Sequence, residues 1–199
     1  ILKIIAGNTA KPVTVKIRTC WDKDSLSARD IGLACQEAGI DALFIHGRTR
    51  EQGYSGDVDY KTIQKVKKAL DIPVIASGDI FSGELAKKML DETGCDGLLV
   101  ARGALGNPWV FKEIKEFLKS GEIIKRPGLK EISSVMIDDL NASIDFWGSS
   151  HGVKRFRKFF AWYTKGIPNV RLLRENAFRT KTKDQMLEII QSFRKLTNV

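Results

Sequence analysis

A short apolar run followed by a helix-like pattern recurs four times in the first half of the chain, and this repeat constrains the fold most strongly. Each run is continuous and aliphatic, as expected for a strand buried on both faces. Strands that alternate with helices at a spacing of roughly thirty residues are typical of βα units in a parallel sheet. The predicted strands lie at residues 13–17, 42–46, 73–77 and 97–101.

Three helices are predicted between these strands, each from an apolar stripe that follows a capping residue. The predicted caps are Asp24 or Ser25 for the first helix, Asp59 for the second and Ser82 for the third. The predicted inward residues are Ile31, Ala34, Cys35 and Ala38, then Ile63, Val66 and Leu70, then Leu85 and Met89.

Polar residues interrupt or directly follow all four predicted strands. Because the carboxyl ends of parallel strands meet at one edge of a sheet, side chains from four separate strands are expected to share one rim. Such a rim is where β/α folds hold their ligands, so we predict a functional site there. The residues are Lys16, Arg18, His46, Ser77, Gly78, Asp79, Arg102 and Gly103.

The turn "ARGALGNPWVFKEI" at residues 101–114 admits two interpretations. It is an ordinary entry to a helix, with Asn107 as the N-cap and Pro108 at the first helical position. It is also suited to a phosphate, since backbone N–H groups at such a turn, backed by Arg102, attract an anion. The turn alone leaves both interpretations open.

Length and composition indicate a globular protein. A chain of 199 residues with 43% hydrophobic content is long enough for one sizeable core and a small appendage. No run approaches the roughly 18 apolar residues of a membrane span, and the start does not resemble a secretory leader, so we expect a cytoplasmic protein without a membrane partner. Cys20, Cys35 and Cys95 lack the spacing of a disulfide framework or a metal site.

The positive charge is concentrated in one segment. Residues 151–183, here called the basic segment, contain ten Lys and Arg but only one acid, Glu175, and so carry the whole net charge of +9. A neutral body joined to a basic segment favours a polyanionic partner.

The motifs together closely resemble the bacterial tRNA-dihydrouridine synthases, flavoenzymes that reduce uridine in tRNA. The resemblance covers nearly the whole chain. Two of its features are specific to that family, namely the "HGRTREQGYSG" motif, and "GNPW" together with the basic helical tail. The motifs are "KIRTCWD", "HGRTREQGYSG", "IPVIASGDI", "TGCDGLLVARGALGNPWVF" and "FRKFFAWYTKGIPNVRLLR".

The resemblance implies the fold. The family fold is an FMN-binding (β/α)8 barrel, which ordinarily takes roughly 250 residues, followed by a helical domain. The four predicted strands match the last four of the barrel, so we expect an α/β fold formed by the second half of a (β/α)8 TIM barrel and a small all-helical domain. The implied domains are a partial flavin-binding barrel at 1–118, a linker at 119–130 and a helical tRNA-binding domain at 131–199.

The resemblance also implies the activity, which is FMN-dependent reduction of uridine to 5,6-dihydrouridine in tRNA with NADPH as reductant. The family cysteine that protonates the uracil ring is expected before residue 1, because neither Cys20 nor Cys95 matches its position. We therefore expect no catalytic residue in this chain, no metal site, and no activity of the 199 residues alone. The full-length protein is expected to be a monomer.

Individual roles follow from the matched motifs. Lys16 is expected near the flavin pyrimidine edge and the Arg-Gly turn around its phosphate, while Arg48 is expected to meet an RNA phosphate. The residues implied in cofactor binding are Lys16, His46, Ser77, Gly78, Asp79, Ala101, Arg102 and Gly103.

In the basic segment, aromatic residues and cations alternate at helical intervals. Phe156, Phe160 and Trp162 are expected in the core of a small bundle, which leaves a basic face for RNA phosphates. The residues expected to bind RNA there are Lys154, Arg155, Lys158, Arg171 and Arg174.

Two other functions compete with this one. The chain is alternatively a noncatalytic RNA-binding protein derived from a truncated paralogue, which keeps only the basic segment in use. A third possibility is an open doubly wound phosphate-binding domain, although it explains neither the "HGRTR" motif nor the basic segment. Flavin binding distinguishes the enzyme from the noncatalytic RNA-binding protein.

Overall fold

The structure, a computed structural model, describes residues 1–21 and 27–196. The chain divides into two compact units. The α/β unit comprises Ile1–Gly103 and Val110–Ile123, and the helical unit comprises Ala104–Trp109 and Ile124–Val199. No helix in the described part of the chain is long and apolar enough to cross a membrane.

Over the residues that the structure describes, the α/β unit contains a four-stranded, entirely parallel sheet in the order β1-β2-β3-β4. Its strands are β1 (Thr14–Arg18), β2 (Ala42–His46), β3 (Val74–Ser77) and β4 (Gly97–Leu98). Its helices are α1 (Leu2–Gly7), α2 (Ala28–Glu37), α3 (Tyr60–Ala69), α4 (Gly83–Thr93) and α5 (Val110–Ser120), with a 3-10 turn at Arg102–Ala104. The predicted parallel sheet of βα units is therefore present.

The helix starts follow from their capping side chains. Asp59 accepts a hydrogen bond from the Thr62 backbone N–H at 2.9 Å, and Ser82 accepts one from Leu85, as predicted. The caps predicted for the first helix, Asp24 and Ser25, lie outside the described residues. Helix α2 begins instead after Ser27, whose hydroxyl accepts from the Asp30 N–H.

The core of the α/β unit lies between the sheet and its helices. Leu43 and Ile45 of β2 and Ile63 and Val66 of α3 are fully buried. Full burial of one such side chain is worth about 1.5–3 kcal/mol, so this continuous layer is what holds the helices on the sheet. Within α2 the prediction is wrong for Ala34, which is exposed.

The last strand and the turn after it differ from the prediction. Strand β4 covers only Gly97–Leu98 of the expected 97–101, because among the described strands it pairs with β3 alone and the chain then enters the 3-10 turn. The Leu99 N–H still donates to Ala76 O at 2.8 Å, so backbone hydrogen bonding to β3 continues one residue beyond the end of β4. Helix α5 begins at Val110, two residues after Pro108.

In its described residues the helical unit contains four helices, α6 (Leu129–Trp147), α7 (Ser149–Tyr163), α8 (Arg171–Arg179) and α9 (Lys183–Arg194). Its core includes Phe156, Phe160 and Phe193, all fully buried, whereas Trp162 is only half-buried. Helix α9 starts with a capping box at Thr182 and Gln185. Between α5 and α6 the irregular segment is shorter than the predicted linker at 119–130, since both helices extend into that range.

Candidate active site

A cavity of about 260 Å³ lies at the carboxyl ends of the strands, and it is here called the strand-end cavity. The register places Arg18 beside His46 and His46 beside Ser77, so β1, β2 and β3 end at the same level. All the residues predicted to bind the cofactor line this cavity, namely Lys16, His46, Ser77, Gly78, Asp79, Ala101, Arg102 and Gly103. The remaining lining residues are Arg18, Tyr54, Ile80, Phe81 and Leu99.

Three cations and one carboxylate line the strand-end cavity. Lys16 is exposed on β1, and partial desolvation, followed by the charge of Arg18, lowers its pKa. The Arg18 guanidinium donates to Thr49 O at 2.7 Å and to Gly53 O at 3.0 Å, which ties the loop after β2 to the end of β1. With Arg102 as the third cation, the cavity suits an anionic ligand.

His46 is buried at the end of β2, with 9% of its surface exposed. Its Nε2 atom has no hydrogen-bond partner among the described residues. Burial lowers its pKa from 6.5 to about 4, and the charges of Arg18, Lys16 and Arg48 act in the same direction against Asp79. The imidazole is therefore neutral at physiological pH and offers one donor and one acceptor nitrogen.

Arg48 is buried, with 2% of its surface exposed. Its Nε atom donates to Ser55 O at 3.1 Å and Gly56 O at 3.0 Å, and its terminal nitrogen donates to Gly56 O at 2.6 Å and to an Asp79 carboxylate oxygen. The hydrogen bond with Asp79 raises the pKa of Arg48 and lowers that of Asp79. The predicted contact of Arg48 with an RNA phosphate therefore needs correction, because this side chain supports the loop.

Asp79 joins two arginines. The second is Arg102, whose guanidinium also pairs with the carboxylate. The Arg102 guanidinium carbon lies 4.4 Å from the ring centroid of Tyr54 and 5.6 Å from that of Phe81. Sequence reasoning missed both rings. The position of Tyr54 in the "HGRTREQGYSG" motif was a signal for it, whereas nothing in the sequence indicated Phe81.

Two glycines permit close backbone approach at the strand-end cavity. A Cβ atom on Gly103 would lie 2.1 Å from Ile80 O, which is backbone and cannot rotate away. Gly78 has φ +142, a conformation that favours glycine, and a Cβ there would lie 2.9 Å from Val58. The Ser77 hydroxyl donates to Ile45 O at 3.2 Å, so this side chain already has a backbone partner.

In the helical unit, four of the five predicted RNA-binding side chains are exposed. Arg171 among them forms an ion pair with Glu175, with 3.0 Å between Arg171 Nε and Glu175 Oε1. The set, here called the four exposed cations, consists of Lys154, Arg155, Lys158 and Arg171.

Arg174 is the exception. It is half-buried, and its Nε atom donates to Thr164 Oγ1 at 2.8 Å while a terminal nitrogen donates to Thr164 O. These hydrogen bonds pair both the backbone carbonyl oxygen and the hydroxyl oxygen of Thr164 at the end of α7. The guanidinium of Arg174 therefore stabilises the helical unit, and the RNA contact predicted for this residue stays a prediction.

Neither a metal site nor a cysteine contributes to the strand-end cavity as described. Within residues 1–21 and 27–196, no group of three or more His, Cys, Asp or Glu is placed to hold a metal ion. Cys35 and Cys95 are buried and Cys20 is half-buried. None of the three lines the cavity.

Comparison with known proteins gives one family. The family model described as "Dihydrouridine synthase (Dus)" matches residues 1–198. The tRNA-dihydrouridine synthase B of Pseudomonas aeruginosa is 38% identical over 193 residues, which is 97% of this chain and 58% of that protein. The one from Pseudomonas putida is 42% identical over 168 residues, which is 84% of this chain and 50% of that protein.

The chain therefore spans little more than half the length of these relatives. Among solved structures, a mandelate oxidase aligns with 98% of this chain and 65% of its own at 18% identity and a TM-score of 0.41. A likeness at that TM-score supports no conclusion about this chain.

Proposed function

We propose, from the fact that this chain belongs to the dihydrouridine synthase family, that it forms the flavin site and RNA-binding part of an enzyme that reduces uridine to 5,6-dihydrouridine in tRNA. The cofactor is FMN and the reductant is NADPH. The single observation that supports this most is the strand-end cavity, which gathers every residue that the resemblance implies in flavin binding.

The strand-end cavity fits FMN in its chemistry. Arg102 and the backbone around Gly103 offer positive charge and close approach to a phosphate, as the Arg-Gly turn predicts. The buried His46 Nε2 atom has no partner within the described residues and suits a polar group of the ring system. Lys16 and Arg18 supply positive charge to the same cavity from β1.

FMN supplies a hydride donor when it is bound and reduced. Lys16 would lie near the pyrimidine edge of the bound ring system, where its charge would stabilise negative charge on the reduced flavin. The neutral His46 would offer a hydrogen bond to a polar group of the ring system without adding a further positive charge to the cavity. Asp79 keeps Arg102 and Arg48 in place from one carboxylate. The proton donor to the uracil ring stays a prediction for a cysteine before residue 1.

The wider organisation is part of the same proposal. The four-stranded sheet is the second half of a (β/α)8 barrel, and the helical unit binds tRNA through the four exposed cations. The target uridine leaves its stack to reach the flavin, and phosphate contacts offset part of that cost. A tRNA substrate favours a cytoplasmic protein, and the monomeric state expected for the full-length protein stays a prediction.

Parallel titrations of the chain with FMN and riboflavin, followed by flavin fluorescence, test this proposal. We expect FMN to bind at least tenfold more tightly, because only FMN carries the phosphate that the Arg-Gly turn recognises. Arg102→Gln is expected to reduce this preference, whereas the control Arg29→Gln, on the exposed surface of α2, is expected to leave it unchanged. Equal affinity for the two flavins contradicts the assignment.

The flavin titrations, together with a titration of the chain with tRNA, also test the competing functions. A chain that binds tRNA but neither flavin is a noncatalytic RNA-binding protein. A chain that binds FMN through a phosphate but has no affinity for tRNA supports a phosphate-binding domain of another kind.

A further inference from the structure

The helical unit contains a concave surface of its own, and its lining residues differ in kind from those of the strand-end cavity. It has a volume of about 260 Å³ and lies between the end of α6 and one face of α7. We call it the aromatic pocket. The lining residues that matter here are Asp139, Ser143, Phe146, Trp147, Arg155 and Phe159.

Tight packing of α6 on α7 places two aromatic rings at the surface. A Cβ on Gly152 would lie 2.6 Å from the Ile144 Cα atom, so only glycine allows this approach, and Ser143 Oγ donates to Gly152 O at 3.0 Å. Helix α6 ends directly afterwards, at Trp147. Phe146 is 76% exposed and Trp147 is 46% exposed, and their ring centroids are 4.8 Å apart.

Contiguous exposed apolar patches mark binding sites, whereas single exposed rings are normal. Here Phe146 and Trp147 contact each other edge to face, at an interplanar angle of 72°. Phe159, 36% exposed, lies on the α7 side of the same pocket. The pocket therefore presents three aromatic rings on one exposed surface.

The charges around these rings indicate what binds them. The Arg155 guanidinium carbon lies 3.8 Å from the Trp147 ring centroid, a cation–π contact that orients its N–H groups. In the part of the chain that the structure describes, Lys154, Arg155 and Lys158 form no ion pair. Asp139, a carboxylate that lines the pocket, accepts a hydrogen bond from the Tyr163 hydroxyl. The surface is thus cationic and aromatic together.

We infer that the aromatic pocket binds an unstacked nucleobase of the RNA, with one ring of the Trp147–Phe146 pair stacking on the base, the other ring contacting the edge of the base, and Arg155, Lys154 and Lys158 contacting the neighbouring phosphates. Every base has a π face, so such stacking tolerates any sequence, while cations follow the backbone. An apolar protein helix is a poorer fit, because it offers nothing to three unpaired cations. The inference rests on the proposed function, which supplies RNA as the partner.

The test compares two single-stranded probes of equal length, oligouridylate and an oligoribonucleotide of abasic residues, on the full chain. Trp147→Leu and Phe146→Ser are each expected to weaken oligouridylate binding about tenfold, in line with the loss of one stacked base. Phe146→Ser is expected to leave binding of the abasic probe unchanged, since the phosphate contacts remain. Trp147→Leu also removes the cation–π contact of Arg155, so it is expected to weaken binding of the abasic probe, but by less than it weakens oligouridylate binding. The matched control Phe178→Ser removes a ring that is 50% exposed on α8 and is expected to change neither affinity.

The outcomes separate this inference from the proposed function. Equal losses for both probes, or a control as weak as Trp147→Leu, overturn the inference. If the Phe146 and Trp147 variants bind RNA as the wild type does but have a changed sedimentation coefficient, the pocket is a protein-binding surface and the inference is overturned. If the wild-type chain binds tRNA but no variant differs from it, only the inference fails. If it binds no RNA at all, the RNA partner of the proposed function fails as well.

Discussion

Substitution of Gly103 by alanine tests the closeness of two backbone segments at the strand-end cavity. The added Cβ atom would lie 2.1 Å from Ile80 O and 3.3 Å from the Phe81 Cα atom, and both are backbone atoms. Because no side chain can rotate to relieve the contact, the 3-10 turn or the loop after β3 has to move. Overpacking of this kind costs about 1–3 kcal/mol. Both displaced segments line the cavity, so stability and flavin affinity should fall together.

The assay combines thermal unfolding, followed by circular dichroism, with FMN titration. We expect Gly103→Ala to lower the free energy of unfolding by about 2 kcal/mol, which lowers the midpoint by about 4–8 °C for a chain of this size. FMN affinity should fall at least tenfold, because relief of the 2.1 Å contact takes a displacement of about 1 Å, which disturbs the phosphate contacts.

Two further glycines provide controls. At Gly97 the nearest atom to an added Cβ is Ile75 Cγ1 at 3.7 Å, an ordinary contact, so Gly97→Ala should change neither property much. Gly152→Ala meets backbone at 2.6 Å in the helical unit and should destabilise the chain without weakening FMN binding. If Gly103→Ala behaves like Gly97→Ala in both assays, the close approach and its role in the site are refuted.

Three other predictions concern titration, charge and the end of α7. Because folding lowers the pKa of His46 from 6.5 to about 4, its contribution to stability is complete above pH 6.5 and is lost as pH falls through the folded pKa. Urea unfolding between pH 6.5 and 4 should therefore show a larger loss for wild type than for His46→Gln, and parallel curves refute the burial of this ring. Changing the four exposed cations to Gln should make the plot of log tRNA affinity against log salt shallower by about 3, and an unaltered slope means that they are only a solvated surface. Arg174→Gln should lower the unfolding midpoint but leave that salt slope unchanged, since its guanidinium is bonded to Thr164.

The sequence was most informative where local pattern decides the structure. Strands β2 and β3 were predictable within one residue because continuous apolar runs flanked by turn residues leave few alternatives. Asp59 and Ser82 were recognisable as caps for a similar reason, since a cap needs only its own helix. The length of β4 was not predictable, because it depends on pairing with a single neighbour.

Sequence reasoning was weakest for residues whose partners are distant in the chain. Arg48 was expected to contact RNA, but its side chain is buried and pairs with Asp79, which lies 31 residues away. Arg174 was expected on the basic face, but its guanidinium donates a hydrogen bond to Thr164, ten residues earlier in the chain. In both cases the charge was visible in the sequence and the direction of the side chain was not, because direction is set by tertiary contacts.

The most direct test of the central claim is dihydrouridine formation by a chimera in which residues 1–199 replace the matching part of the Pseudomonas aeruginosa relative. The purified chimera is mixed with FMN, NADPH and unmodified tRNA, and dihydrouridine is measured by mass spectrometry of the digested RNA. Flavin absorbance and tRNA binding verify that the chimera is folded. Lys16→Ala is compared with the control Lys61→Ala, which lies on an exposed face of α3.

We expect the chimera and its Lys61→Ala variant to form dihydrouridine, and the Lys16→Ala variant to retain FMN but to react far more slowly, because the charge of Lys16 matters most when negative charge develops on the flavin. A chimera that holds FMN and binds tRNA but forms no dihydrouridine contradicts the account, as does a Lys16→Ala variant that reacts at the full rate.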